Sequence, residues 1–497
     1  MSNSNFEGAP SHDDRSKVPL TPEELETLTK PKVLISGAGL GGLTLAILLH
    51  KAKIPFLVLE KAYEVKPLGS ALVIGTGAAP LLRQMGVYED FLAIAKHQNH
   101  LNIMDENLKP QWTLNYDWLE DIGGGYKEYI VARPDLYNVL WNHVPRDRIH
   151  LGKRVLSFQE IENQIQVHTS DNSLYHGDIL VGADGAYSAV RQHLYKTLKA
   201  TDDLPKSDDV ALPYRCVCLV GQTDVLSPDE FPEVGKDVCQ FSSILGLTNM
   251  CTWLTMTTKR GSVCWMVIQF LNAETAKQND SFRNSEWGPE AAVAMCNEWR
   301  HLKVPGGQTG ELTLGDYIDR TPKEYIAKVM LEEIVFDTWY SGRTVLLGDA
   351  CHKMNPTGGV GALMAISDAV TLANWISTLG VPNENDLKKI FKQYKAERYP
   401  AAKEAFESSQ LFTKTLGKGM LSVFVRSLMK RLPLWLWRRM LYKSVGPRPQ
   451  ASFLPPVEDN GSLKPFYQHS LQKTLAIRQE RGLGPVVQED QANATAV

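Results

Sequence analysis

No sign of charge prevails in this chain: 53 lysines and arginines stand against 56 aspartates and glutamates, for a formal net charge of −3. That balance creates no field to draw a polyanion, so nucleic acid is not an expected partner. The seven cysteines contain no C-x-x-C pair. Cys216 and Cys218 share one face of an expected strand, too local a pair for a metal site. Reduced core cysteines are expected, with no metal, which suits a cytoplasmic setting. The first thirty residues have no apolar core of the kind a secretory signal needs. They read as a flexible arm, 1–30, with a helical start at Thr21-Pro22-Glu23-Glu24. The apolar run 33–49 holds four glycines in a nucleotide-binding arrangement, so it is not read as a membrane span. No internal repeat is present. What remains is a chain of 497 residues, 43% hydrophobic and 22% charged. Those are the proportions of an ordinary globular protein with room for one large domain or two fused lobes.

Its organising stretch is Val33-Leu34-Ile35-Ser36-Gly37-Ala38-Gly39-Leu40-Gly41-Gly42, an apolar run ending in G-x-G-x-x-G (Gly37, Gly39, Gly42). A helical pattern follows to about Ala52, and a second apolar run, Phe56-Leu57-Val58-Leu59, ends in Glu60. The order predicts strand, phosphate-binding turn, helix and strand. Gly37 permits the sharp turn, Gly39 lets the backbone approach a pyrophosphate, and Gly42 allows close packing. The helix N-terminus offers free N–H groups and the positive end of its dipole. Glu60 falls where a carboxylate can hold both hydroxyls of an adenosine ribose.

Further on, Pro67–Ile74 predicts a segment passing beside the cofactor. Ala79–Met85 predicts a helix stopped by Gly86. At Tyr129–Leu140 a strand gives way to a helix at Pro134, which leaves Arg133 at a strand end, as a surface residue or as a ligand. Residues 149–181 alternate in short runs broken at Glu162-Asn163 and Asp171-Asn172, the pattern of a β-meander. The last run feeds Gly182-Ala183-Asp184-Gly185-Ala186-Tyr187-Ser188-Ala189-Val190-Arg191, a strand, D-G turn and helix that bring Asp184 and Arg191 together. From about Asp209 to Leu271 the texture is that of a separate, mostly antiparallel sheet. Arg215 lies in an otherwise apolar strand there, either snorkelling at an edge or facing a pocket. A buried strand then ends in Gly348-Asp349, followed by a proline-glycine loop and a long helix starting near Gly361. Asp349 can hold polyol hydroxyls, and that helix N-terminus can stabilise developing negative charge. His352 is expected to bond local backbone rather than act as a base. Residues 414–443 carry eight basic and no acidic residues among leucines and tryptophans. They either contact an anionic membrane peripherally or pack as a helix pair on the main body, and packing is the favoured reading.

Three motifs in fixed order, G-x-G-x-x-G with Glu60, Asp184-Gly185 and Gly348-Asp349, resemble the FAD-dependent aromatic hydroxylases, the group A flavoprotein monooxygenases. Within that group the chain is similar to the fungal salicylate-hydroxylase-like and secondary-metabolite epoxidase branch, and Arg448-Pro449-Gln450-Ala451-Ser452-Phe453 looks like that branch's C-terminal region. The resemblance covers roughly 32–375. It implies an α/β fold: a Rossmann-type FAD-binding domain (31–208 and 330–375) with an inserted, mostly antiparallel substrate sheet (209–329). A helical C-terminal region (376–481) and a disordered tail (482–497) complete the expected division. It further implies that Glu60 binds the adenosine ribose, Arg133 the phosphate-ribityl region and Asp349 the ribityl hydroxyls. Val73, Gly361 and Ala362 would line the flavin, and Asp184 and Arg191 would shape the pyrophosphate and NAD(P)H approach. Arg215 would be catalytic, over the flavin.

The implied reaction inserts one oxygen atom of O2 into an aromatic or isoprenoid small molecule. Tightly bound FAD carries it through a C4a-hydroperoxide, with NADPH or NADH as transient reductant. Two departures bear on the substrate side: Thr76-Gly77-Ala78 stands where many relatives have Pro-Asn, and Gly358-Gly359-Val360-Gly361 lacks a common glutamine. A flavin halogenase would need W-x-W-x-I-P, which is absent. A silent flavin-binding scaffold or a non-oxygenating flavin oxidoreductase are the other readings.

Overall fold

The computed structural model describes residues 29–64, 70–210, 214–246, 251–271, 289–354, 359–414, 427–428 and 431–486. The arm with its helical start, the Pro67–Gly69 segment, the Pro356–Gly358 loop and most of the basic stretch before Arg431 lie outside these residues. So do the Tyr214 and Arg215 side chains and the tail beyond Val486.

A six-stranded sheet forms the centre, in the order Tyr340–Ser341, Thr344–Leu346, Ile179–Gly182, Val33–Ser36, Phe56–Leu59, Ile149–His150. Five of these strands run parallel, and Tyr340–Ser341 is an antiparallel edge. Val33, Leu34, Ile35, Ile179, Leu180 and Val181 are fully buried. Parallel strands covered on both faces have no solvent side, so they read as continuous apolar runs. Helix Leu40–Lys51 covers one face and is itself apolar nearly all round, because helix Gly361–Ile376 packs on its outer side. Burying Leu43, Ile47 and Leu48 there contributes about 1.5–3 kcal/mol each. The short helix Ala79–Met85 stops at Gly86 in the left-handed region, φ 73°. The meander forms as expected, its turns made by Glu162 and Asn172 with positive φ.

The second large element is a seven-stranded sheet in the order Ala327–Glu332, Tyr214–Gln222, Val263–Phe270, Cys251–Thr257, Phe241–Gly246, His100–Asp105, Pro110–Asn115. It is antiparallel except where Phe241–Gly246 pairs in parallel with His100–Asp105. Two of its strands therefore come from 100–115, well before the 209–329 stretch. Its back face carries Trp253, Trp265 and Ile244 under the helices Pro289–Trp299 and Leu314–Ile318. Its front face carries Phe241, Met256 and Cys264, which pack against Val73, Ile130 and Ala132. These last belong to a three-stranded sheet, Ala71–Ile74, Glu128–Ala132 and Lys96–Gln98. Cys216 and Cys218 share the front face as expected, and all seven cysteines are buried and unpaired.

Helix Leu434–Val445 packs through Tyr442 and Val445 on Leu119 and Ile122, with Arg438 over the Trp118 ring, so the described part of the basic stretch lies on the main body. Trp435 is left 64% exposed. Among the described residues no helix is long and apolar enough to cross a membrane. Beyond it, residues 448–463 strap the C-terminal region to the central domain. Gln84 exchanges hydrogen bonds with the Ala451 backbone, and Asn374 does the same with Gln450 and Ser452. Arg448, 1% exposed, donates to the Ile122 and Leu463 carbonyls and is ion-paired with Asp459 at 2.7 Å. At the start of the expected tail, the Val486 N–H still donates to the Phe453 carbonyl.

Arg448→Ala should cost about 3 kcal/mol, because it strands a carboxylate and two carbonyls together. A thermal midpoint within a degree of the wild type would show that the strap is not held this way.

Candidate functional site

The three motif loops meet because the chain has no side chains where they touch. Gly37, φ +104°, lies so close to Ala183 and Asp184 that a Cβ there would stand 2.5 Å from the Ala183 oxygen. Gly42 closes on the carbonyl of Gly37, where a Cβ would fall 2.1 Å away. Gly41, which the motif itself leaves free, packs against Leu347 and Ala365. The first turns of the helices Leu40–Lys51 and Gly361–Ile376 thus lie side by side. Gly39 behaves differently: among the described residues a Cβ on it would meet nothing within 4 Å, and the same holds at Gly361. Among the described residues, both helix N-termini are therefore left uncovered. Neither has a side-chain cap or an acidic residue in its first turn, so their N–H groups and dipoles are available to an anion.

Glu60 reaches back into this turn. Its Oε2 accepts the Ala38 N–H at 2.7 Å and its Oε1 the Ala62 N–H at 2.9 Å. Asp184 accepts from the Ala189 and Val190 N–H groups through Oδ2, whereas Oδ1 is buried with no partner among the described residues. Burial pushes its carboxyl above the usual carboxylate range. Asp349 sits in the Gly348–Ala350 turn, half-buried and paired with Lys353. Arg133 begins helix Arg133–Asn142, its N–H on the Ser70 carbonyl and its side chain exposed. Val73 lies in strand Ala71–Ile74 opposite Ile130, at the front-face cluster. Ala362 follows Gly361 into its helix, half-buried. Arg215 lies at the irregularity between Tyr214 and Cys216, where the strand's pairing with Ala327–Glu332 shifts register.

Arg191 takes a position that its charge does not suggest. It is 4% exposed, donates to the Ala350 carbonyl at 2.9 Å and the Ala186 carbonyl at 2.6 Å, and lies over the Phe336 ring. Rather than facing open space, its guanidinium staples the Asp184 loop to the Asp349 loop. Its backbone N–H in turn caps onto Ser188.

His352 is buried and bonds a helix carboxylate, not local backbone as expected. Its Nε2 meets Asp368 Oδ2 at 2.6 Å, while Arg398 Nε meets Oδ1 at 2.7 Å and the Gly348 N–H also donates to Oδ2. Burial raises the Asp368 pKa, but His352 and Arg398 more than offset it and hold it at about 2. Cys351, His352 and Asp368 offer ligand atoms within 4.8 Å of one another. The His and Asp groups are spent on each other and on Arg398, and burial keeps the Cys351 thiol protonated. This cluster pins the Gly348 turn to two helices. A separate cavity of about 270 Å³, lined by Glu233, Tyr317, Ser242 and Thr255, opens on the back of the seven-stranded sheet, away from the motif loops.

Open cradles at Gly39 and Gly361, an unpaired buried oxygen on Asp184 and a carboxylate on the glycine turn suit an extended dinucleotide. The chain belongs to the FAD binding domain family, whose model matches residues 30–212 and 311–409. It is similar to the FAD-dependent monooxygenase ptmM of Penicillium ochrochloron, 31% identical over 77% of this chain and 88% of that protein. A second relative, the FAD-dependent monooxygenase penM of Penicillium crustosum, is 30% identical over 77% of this chain and 78% of its own length. Klebsiella pneumoniae HpxO, solved with FAD and uric acid, shares the fold at a TM-score of 0.65 with 19% identity, covering 83% of this chain and 96% of that one. The protein is an FAD-dependent monooxygenase.

Because the Asp368 pKa is depressed in the fold, its stabilisation is present above the ordinary 3.8 and is lost as pH falls through about 2. Asp368→Asn should flatten that acid limb and, at neutral pH, cost about 3 kcal/mol by removing the charge that balances buried Arg398 and one of the two accepting oxygens. Denaturant titrations across that range check both; an unchanged acid limb would remove Asp368 as its source.

Proposed function

We propose that the protein uses NADPH or NADH and dioxygen to insert one oxygen atom into an aromatic ring or alkene of a largely apolar small molecule. The observation that carries this is the front face of the seven-stranded sheet. Cys218, Val220 and Ile268 are buried there, beside half-buried Leu254, Met266, Ala327 and Val329. These apolar side chains suit an apolar guest, with the buried Thr252 hydroxyl the polar exception beside Ile268, and Leu254 links the wall to the cluster holding Val73.

FAD, when bound, supplies the activation of dioxygen, which no protein side chain can perform. The chain's own residues bind, orient and shield. Glu60 holds the adenosine ribose, while Arg133 and Asp349 hold the ribityl-phosphate region. Asp184, with loops fastened by Arg191, shapes the approach of pyrophosphate and reductant. The N–H groups at Gly361 and Ala362 face developing negative charge, a preorganised arrangement that needs no rearrangement during reaction. Arg215, leaving the front-face strand, supplies positive charge to the oxygen-transfer step. Only one dinucleotide fingerprint is present, so NAD(P)H binds transiently. The relatives' fungal sources support a place in secondary metabolism.

Purified protein should be yellow and should consume NADPH or NADH in air when offered phenolic, indole or prenylated compounds, with label from dioxygen appearing in product. Reductant consumption without oxygenated product from any of these classes would count against the reading. Arg215→Ala should keep FAD yet lose about 100-fold or more in product formation; unchanged turnover removes Arg215 from the chemistry. Asp349→Ala should purify colourless, and a fully yellow variant would refute its role.

A further inference from the structure

The hydroxyl of Tyr137 is buried with no hydrogen-bond partner among the described residues, in a residue only 8% exposed. Folded proteins seldom leave such a group unpaired, so its surroundings indicate what it awaits. Tyr137 stands one helical turn after Arg133, on the same face of helix Arg133–Asn142, which packs against helix Leu40–Lys51 beyond the glycine turn. Its ring stacks on Trp141 with centroids 5.8 Å apart, and Arg146 lies over Trp141 at 5.2 Å. Burial first, and then the charge of the Glu60 carboxylate, push the phenol pKa up, so it remains a neutral donor and acceptor. The two Glu60 oxygens each take one backbone N–H and retain lone pairs facing outward from those bonds. The unpaired phenol thus lies on the helix that packs beside the glycine turn's own helix, and it shares its helix face with Arg133.

We propose that Tyr137 is a further cofactor-binding residue, whose hydroxyl bonds the adenosine-ribose end of FAD beside Glu60. A phenol that can both give and accept a hydrogen bond matches a ribose hydroxyl, which can do the same. Glu60 can only accept, and its charge already disfavours a phosphate there; the phenol adds a group that can answer a ribose hydroxyl in either direction. The proposal rests on FAD occupying the glycine turn in the orientation that Glu60 sets.

The test is Tyr137→Phe in the full chain, with FAD and FMN affinities measured by flavin fluorescence on apoprotein and the thermal midpoint of the apoprotein recorded alongside. FMN lacks the adenosine, so it reports the rest of the site. The expected result is FAD binding weakened about three- to tenfold, the loss of one neutral hydrogen bond. FMN binding should be unchanged and the apoprotein midpoint equal or higher, because an unpaired buried hydroxyl has been removed. Equal FAD affinity in wild type and Tyr137→Phe overturns the proposal, as does an equal loss for both flavins or a lowered apoprotein midpoint, either of which assigns the ring to packing alone. A wild-type protein that takes up no FAD would tell instead against the flavin reading itself.

Discussion

The contact between the backbone of Gly37 and that of Ala183–Asp184 is the constraint on which the site depends. Two strand-ending turns, almost 150 residues apart in sequence, approach closer than any side chain allows. A Cβ at Gly37 would be doubly excluded, by its φ of +104° and by the Ala183 oxygen. The close approach places the first helix and the Asp184 turn in one cleft. Gly41 extends the same logic to the third loop, since a Cβ there would press on the Leu347 side chain and the Ala365 methyl. Absence of bulk, rather than an attractive interaction, decides where the loops meet.

What keeps them there is buried charge. Arg191 and Asp368 are each withdrawn from solvent, and each ties separate loops or helices together. Such networks are poor sources of net stability because desolvation consumes much of the attraction. Their value here is geometric. An arginine bonded to the Ala350 and Ala186 carbonyls leaves little freedom to either motif loop. The Asp368 carboxylate, gripped by His352 and Arg398, holds the N–H of Gly348 and hence the turn carrying Asp349.

The parts of this arrangement legible in the sequence are those written in short-range signals. Glycines at strand ends, an acidic residue after the second strand and the D-G and G-D pairs each act within a few residues of themselves, so spacing alone reveals them. The strands His100–Asp105 and Pro110–Asn115 were not legible. They are short and only half-buried, and they join the larger sheet through a parallel pairing with a distant strand. Arg191 and His352 were visible as candidates but not in their actual partnerships, because a charged side chain near a nucleotide motif suggests a ligand while burial redirects it to local carbonyls or a distant carboxylate. Arg398 and Asp368 lie 30 residues apart on two helices, with nothing in their local sequence to distinguish them from surface charges. The Arg215 side chain lies outside the described residues, so its role still rests on the family resemblance.

The same burial that hides these partners also shapes the chemistry beside them. A site that handles dioxygen places oxidisable thiols at risk, and the front face of the sheet carries several. Reaction of a cysteine with oxidants proceeds through its thiolate. Burial raises the pKa of the Cys218 and Cys264 thiols, and that of Cys239 to about 12 despite the neighbouring Lys96 ammonium. At neutral pH these sulfurs are therefore almost entirely protonated. They fill the sheet's front face as small apolar groups while offering little to oxidise. Replacing them with serine would add a polar group to the wall, whereas a larger aliphatic residue would narrow the gap between the two sheets. Cysteine thus meets both limits, provided the wall stays dry enough to keep the thiols neutral.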